Sequence, residues 1–310
     1  MSDSVPTLDA RAAESDQFAR DIANAYAEYG FVIIQNHGID KALINRCLKT
    51  FRDFFALPVP EKMKYKLPKG GGARGYTPFG IETAKGATHH DLKEFWHVGR
   101  ELPPGHPFSA LMAPNIWVSE IPDFKETTYA LFEAFDKLGR RLLAPIATSF
   151  GMPRHFFDDK VNLGNSILRV IHYPPMPPEP TPSVRAGAHE DINVITLLLG
   201  AEEPGLEVLS RKGEWLPVNP PPDALVCNVG DMLQRLTNKR LRSTTHRVVN
   251  PPRERASNAR YSLPFFLHFN PDFLIETLPQ CVDAEHPNLF PTPINSHEFL
   301  QERLREIKLV

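Results

Sequence analysis

The chain has 310 residues, and 35 Lys and Arg against 37 Asp and Glu give a formal charge of −2. A near-neutral chain with no basic block lacks the cationic surface that phosphate backbones require, so no nucleic-acid partner is expected. No stretch approaches about 18 apolar residues, no basic-then-apolar leader opens the chain, and three scattered cysteines (Cys47, Cys227, Cys281) make no disulfide framework; no membrane association is expected, and a reducing cytoplasm is the simplest setting.

The elements read as helices first and strands later. Ser15 caps a helix whose Phe18, Ile22, Tyr26 and Tyr29 recur at helical spacing, and Gly30 ends it. Phe31–Ile34 is a short apolar strand. Asp40 caps a second helix with Leu43, Ile44, Cys47, Leu48, Phe51, Phe54 and Phe55 on one face, stopped by Pro58. Residues 66 to 88, with Gly70–Gly72, read as loop. Asp91 and Glu94 have the spacing of a helix N-cap and its reciprocal glutamate, so a short third segment is expected to start there. A long helix is expected from about Asp123 to Phe150, bent at Pro145.

After Gly151 the period changes. Ser166–Tyr173, Val194–Leu199, Leu206–Leu209, Ala224–Val229, Thr245–Val249 and Tyr261–Phe269 are β-rich runs. Proline makes up 31 of the 310 residues, about twice the usual share, and clusters at Pro174–Pro182, Pro220–Pro222 and Pro251–Pro252. Proline is excluded from helix interiors and central strands, so this region reads as short strands joined by rigid turns. Many such strands indicate a sandwich, barrel or jelly roll, not a parallel α/β sheet. No phosphate-binding glycine motif, internal repeat or free linker is evident.

His-x-Asp occurs twice, at His89-x-Asp91 and His189-x-Asp191, so the spacing alone decides nothing. His89 and Asp91 sit beside the expected helix cap, and loop and cap are the simpler roles for them. His189 and Asp191 precede the run Val194–Leu199. In extended chain residues i and i+2 point to one side, so this imidazole and carboxylate converge while Glu190 faces away. His246, in the strand-like Thr245–Val249, is the candidate third ligand. Two histidines and a carboxylate bind one face of an iron(II) ion and leave positions open for oxygen and a co-substrate; a pair of satisfied structural histidines is the plainer alternative. Arg260 and Ser262 point the same way at the start of the Tyr261–Phe269 strand. A guanidinium pairs with a carboxylate bidentately and a hydroxyl adds a further hydrogen bond, so together they suit an anionic small molecule.

His189-x-Asp191, His246 and Arg260-x-Ser262, in that order, resemble the iron(II)/2-oxoglutarate-dependent dioxygenases, and more closely their isopenicillin N synthase-like branch. The resemblance extends over nearly the whole chain: Gly30-Phe-Val-Ile-Ile-Gln-Asn-His-Gly38, Phe54-Phe-Ala-Leu-Pro58, Arg74-Gly-Tyr76, Asp91-Leu-Lys-Glu94, Tyr173-Pro-Pro175, Gly230-Asp231 and Arg260-Tyr-Ser-Leu-Pro-Phe-Phe266 are similar to that branch's signatures. It implies a mixed fold with a β-rich core: a double-stranded β-helix, or jelly roll, wrapped by helices. Residues 1–150 would form the helical N-terminal region and 151–310 the catalytic core, in one integrated unit. His189, Asp191 and His246 would hold iron, and 2-oxoglutarate would chelate it, with its distal carboxylate on Arg260 and Ser262, supported by Tyr173. Plant members often carry Asn two residues before this tyrosine, where this chain has Ile171. The implied reaction uses O2 to oxidise, most simply to hydroxylate, an unactivated C–H bond of a small organic substrate, giving succinate and CO2.

Two alternatives share the residues. The branch's namesake is an oxidase that uses no 2-oxoglutarate and turns its Arg-x-Ser to the substrate's own carboxylate, so the substrate can itself be an acid. A non-catalytic jelly-roll binding protein, or a zinc site in the same scaffold, also suits imidazole and carboxylate. Expected pocket walls are Tyr76–Phe79, Phe95–His97 and Phe265 or Leu267. Glu298–Val310 reads as an amphipathic helix through Phe299, Leu304, Ile307 and Leu309, with ordinary packing as its default role.

Overall fold

The computed structural model describes residues 4–67, 73–81, 90–176, 183–199 and 204–306. His89, the glycine run 70–72 and the expected C-terminal turn at 307–310 lie outside these residues. Seven α-helices are described: α1 (Asp16–Glu28), α2 (Lys41–Phe55), α3 (Val59–Met63), α4 (Phe124–Ser149), α5 (Asp158–Val161), α6 (Asp231–Leu236) and α7 (Ser296–Glu306). The caps are those the sequence predicts. The Ser15 side chain accepts from the Phe18 N–H, the Asp40 side chain from the Ala42 N–H, and Pro145 lies inside α4.

The strands are β1 (Thr7–Asp9), β2 (Phe31–Gln35), β3 (Gly75–Thr77), β4 (Glu94–Gly99), β5 (Ile167–Tyr173), β6 (Ala186–His189), β7 (Ile195–Leu199), β8 (Leu206–Leu209), β9 (Trp215–Pro217), β10 (Leu225–Val229), β11 (His246–Val248), β12 (Arg260–Leu267), β13 (Leu274–Ile275) and β14 (Ile294–Asn295). Eight form one sheet in the order β1-β2-β10-β7-β12-β5-β4-β3, and four form a second in the order β6-β11-β8-β9. The order puts strands distant in sequence side by side, as a jelly roll requires.

One expectation fails at Asp91. No helix starts there; the chain runs into β4, which pairs antiparallel with β5 from Glu94↔His172 to Gly99↔Ile167. The Asp91 carboxylate does not cap. It is buried, accepts the Gly187 N–H at 3.0 Å and pairs with Lys93 Nζ at 2.9 Å. Long-range strand pairing overrides a local capping pattern that costs little to leave unused.

The large sheet has two different faces. Its outer face carries Trp96, Val98, Leu168, Val170, Leu197, Cys227, Leu263, Phe265 and Leu267, which share the main core with α1, α2 and α4. Phe265 lies 5.2 and 5.5 Å, ring to ring, from Phe132 and Phe135 of α4. The inner face meets the small sheet at one half only, where Phe31, Ile33 and Val226 pack with Leu206, Val208 and Val218. Beyond that half, β12, β5 and β4 turn their alternate residues to the same inner face, where Phe95, Ile171 and Tyr173 form a small buried cluster. Tight backbone approach closes the sheets: Gly30 has φ +70°, and a Cβ there would lie 2.2 Å from Thr244 Oγ1.

Candidate metal and co-substrate site

β6 and β11 are neighbours, and His189 stands directly opposite His246, their rings 4.4 Å apart. Asp191 follows two residues after His189. Its Oδ1 is 3.8 Å from Nε2 of each histidine. The ligand atoms of His189, Asp191 and His246 all lie within 4.8 Å of one another.

Every other polar atom of the three faces a protein partner. Nδ1 of His189 donates to the Gly187 carbonyl at 2.8 Å and Nδ1 of His246 to the Thr244 carbonyl at 3.1 Å. A carbonyl only accepts, so both protons sit on Nδ1 and both Nε2 lone pairs face the carboxylate. Asp191 Oδ2 accepts from Thr196 Oγ1 at 2.6 Å and Asn228 Nδ2 at 2.8 Å, which leaves Oδ1 toward the histidines. Burial alone would raise the Asp191 pKa. The two imidazoles and the two hydrogen bonds outweigh it and hold the carboxyl below its usual range. Crowding by surrounding protein, and then the neighbouring His246, bring His189 down to about 4, so it is a neutral lone-pair donor at pH 7. Two imidazoles that present Nε2 and one carboxylate, each held by a second hydrogen bond, are a donor set that fits iron(II).

β12 places the second group. Arg260 pairs with Tyr173 and Ser262 with Ile171 across to β5, and both Arg260 and Ser262 are buried on the inner face. Tyr261 points the other way and stacks on His172. The Arg260 guanidinium lies 5.0 Å from the Tyr173 ring centroid, and that of Arg185 lies 5.9 Å from it. Arg185 immediately precedes β6 and is fully buried. Glu190 faces away, hydrogen-bonded to Thr245 Oγ1.

Of the expected walls, Phe95 and His97 lie on the inner face with Ile171 and Arg169. Phe265 and Leu267 do not; strand alternation turns them onto α4. Trp96 and Tyr76 are likewise in the main core, and Phe79 is exposed beside His90.

Two family models match. One, described as the N-terminal region of a non-haem dioxygenase in morphine synthesis, covers residues 5–120, and the 2OG-Fe(II) oxygenase superfamily covers residues 164–269. The curated 2-oxoglutarate-Fe(II) type oxidoreductase hxnY of Emericella nidulans is 34% identical over 282 residues, 88% of this chain and 79% of that one. The chain belongs to the 2-oxoglutarate/iron(II) oxygenases, in their isopenicillin N synthase-like family. A crystal structure of a putative 2OG-Fe(II) oxygenase family protein from Caulobacter crescentus matches with 54% identity and a TM-score of 0.91, covering 97% of this chain and 98% of that one. Full-length Neurospora crassa T7H in complex with α-KG matches with 30% identity and a TM-score of 0.86, covering 96% and 95%. The jelly-roll core wrapped by helices is thus that of the family, and this oxygenase is a non-haem iron(II)- and 2-oxoglutarate-dependent dioxygenase that uses O2. The oxidase and the binding-protein alternatives are not favoured.

Thr196 and Asn228 escape the sequence reading of this oxygenase's site, and Asp91 is read there only as a helix cap. Thr196 and Asn228 are single polar residues in otherwise apolar strands, a signal that was available. Asp91 links Lys93 to the Gly187 peptide, whose carbonyl in turn holds His189. Only the fold brings that chain of contacts together.

Proposed function

We propose that iron(II) is held by Nε2 of His189, Oδ1 of Asp191 and Nε2 of His246, and that the distal carboxylate of 2-oxoglutarate rests on Arg260 and Ser262 with Tyr173 against it. The observation that carries this is the convergence of three ligand atoms whose companion atoms are all engaged by protein. Iron bound there with 2-oxoglutarate supplies the O2-driven oxidation of a small molecule's C–H bond. The Gly187 and Thr244 carbonyls keep both imidazoles in the ligating tautomer. Thr196 and Asn228 fix the carboxylate's orientation. Arg260, buried on an inner face, excludes water from its pair with the distal carboxylate and sets that carboxylate's distance from the metal. Residues 1–150 supply the outer helices together with β1 to β4, and residues 151–310 every one of these ligands.

The test is visible absorption of the purified protein without oxygen. Iron(II) alone should give no band; adding 2-oxoglutarate should produce a charge-transfer band, and Arg260→Ala should need far more 2-oxoglutarate to reach it. Iron binding with no band at any 2-oxoglutarate concentration would turn Arg260 toward the substrate's own carboxylate.

A further inference from the structure

The two histidines of the site are held in unequal ways. β11 lies inside the small sheet, with β6 on one side and β8 on the other, so a ladder on each side fixes His246. β6 is an edge strand of that sheet, and His189 is its last residue. The ladder is also irregular there. His246 faces His189 and Val248 faces Ala186, so Gly187 and Ala188 together stand opposite Arg247. An extra residue of this kind is a β-bulge, which bends the strand and re-aims the side chains beside it.

Both polar backbone groups of Gly187 have side-chain partners. Its N–H donates to Asp91 Oδ1 at 3.0 Å, and its carbonyl accepts from His189 Nδ1 at 2.8 Å. Asp91 Oδ2 pairs with Lys93 Nζ at 2.9 Å, and both side chains are buried. Between them, the Leu92 N–H donates to the Val184 carbonyl at 2.9 Å. Residues 91–93, where the chain enters β4 of the large sheet, are thereby tied to β6 of the small one. A buried ion pair is seldom more stabilising than an apolar pair of the same volume, so stability alone gives no reason for this one. Its carboxylate instead holds the backbone two residues before a metal ligand. The Gly187 carbonyl can orient the His189 ring only where Gly187 itself is fixed, and Ala186, Gly187 and Ala188 bring little side-chain packing to fix it.

We propose that Asp91 is a positioning residue for the metal: its carboxylate clamps the bulge at Gly187 and so aims Nε2 of His189, with Lys93 as the counter-charge that keeps the carboxylate in place. The inference rests on the site reading above, in which His189 is a ligand, and gives the N-terminal half of the chain a part in the ligand geometry. His246, with a strand on each side, needs no such clamp.

The test compares two variants that discharge the pair, each measured without oxygen by competition for iron(II) with a chelator. Asp91→Ala with Lys93→Met removes the acceptor, and iron(II) affinity should fall about 10- to 100-fold, as for other residues that orient a ligand. Asp91→Asn with Lys93→Met keeps an oxygen for the Gly187 N–H and should recover most of that loss. Neither leaves a buried charge of the pair uncompensated. In the metal-free protein, hydrogen exchange over β6 should quicken in the alanine variant and stay near the wild-type rate in the asparagine variant. If the alanine variant does not fold, Asp91→Glu takes its place: it keeps the charge, displaces the acceptor by a methylene and should weaken iron(II) at least about threefold. Wild-type affinity in the alanine variant, an equal loss in the alanine and asparagine variants, or wild-type affinity in Asp91→Glu would overturn the proposal. Failure of the wild type to bind iron(II) would instead overturn the site reading.

Discussion

The two faces of β12 do different work. On one, Leu263, Phe265 and Leu267 press into the main core against α4; on the other, Arg260, Ser262, Pro264 and Phe266 lie on the inner face of the sheet. The outer set is interchangeable in kind, since any apolar side chains of matching volume would fill it. The inner set is specific in kind, because a buried guanidinium and hydroxyl stabilise little by themselves and gain their worth from an anionic partner. Stability should therefore be lost from the outer face and chemistry from the inner one, and substitutions can separate the two.

The largest expected effect is on the inner side. Asp191→Ala should reduce iron(II) affinity below detection in calorimetry and end iron-dependent 2-oxoglutarate turnover. The fold should survive, since the change leaves the Asn228 amide without this acceptor while the Thr196 hydroxyl keeps Asn193 Oδ1 at 3.2 Å, a cost of about 1–3 kcal/mol. Iron retained by this variant would remove the triad assignment. The outer counterpart is Phe265→Ala, which should cost about 3–5 kcal/mol in urea unfolding and leave the iron affinity of the folded protein unchanged. A loss of iron affinity there would mean that the faces are coupled.

Glu94 is an exception that sharpens the contrast. It stands on the outer face of β4 yet is buried and polar, with Lys62 Nζ at 2.8 Å, Tyr76 OH at 2.5 Å and His172 Nδ1 at 2.8 Å. Burial pushes its pKa up, but these three partners more than reverse that and hold it below 4.5. A carboxyl with a depressed pKa stabilises above the unfolded value and loses that stabilisation as pH falls through its folded value. Glu94→Gln should then destabilise by about 3–5 kcal/mol at pH 7, where Lys62 is left buried without its counter-charge. The gap to wild type in urea unfolding should narrow as pH drops below 4.5. A gap independent of pH would show that packing, not charge, is what Glu94 supplies.

The same contrast explains what the sequence reveals. Elements with a regular apolar pattern announce themselves by period: α1 and α2 with their caps, and the strands at Leu206–Leu209 and His246–Val248, lie within a residue or two of where spacing puts them. His189, Asp191 and His246 are also legible, because the i, i+2 rule works locally and a ligand set has few members. β6 is not, since Ala186-Gly-Ala-His189 has no strand propensity of its own and is held by β11. β4 is misread at its start because an Asp-x-x-Glu pattern satisfies a helix rule while tertiary pairing to β5 decides the outcome. Thr196, Asn228 and Arg185 touch the site only through strand pairing or through sheet facing sheet, which no local spacing encodes.

Arg260→Ala tests the inner face at its far end. Loss of a charge-assisted bidentate contact costs on the order of 2–4 kcal/mol, so the 2-oxoglutarate KM should rise about tenfold or more with iron affinity intact. An unchanged KM would assign Arg260 to another anion and leave the triad untouched.

The smallest expected effect asks how far the inner face extends behind its own ligands. Thr196→Val keeps the side-chain volume and removes one of the two donors on Asp191 Oδ2, leaving Asn228 alone at 2.8 Å. Thr196 sits on β7 between Ile195 and Leu197, both in the main core, so its backbone is held whatever its side chain does. Partners of this kind commonly govern metal affinity by about 10- to 100-fold, by fixing the ligand oxygen's direction. Iron(II) affinity, measured by competition with a chelator, should fall within that range, and urea unfolding of the apo protein should move by less than it does for Phe265→Ala. If the order were reversed, with stability lost and iron affinity kept, the Thr196 hydroxyl would belong to the packing of the sheet, and the boundary between the two faces would run through Asp191 itself.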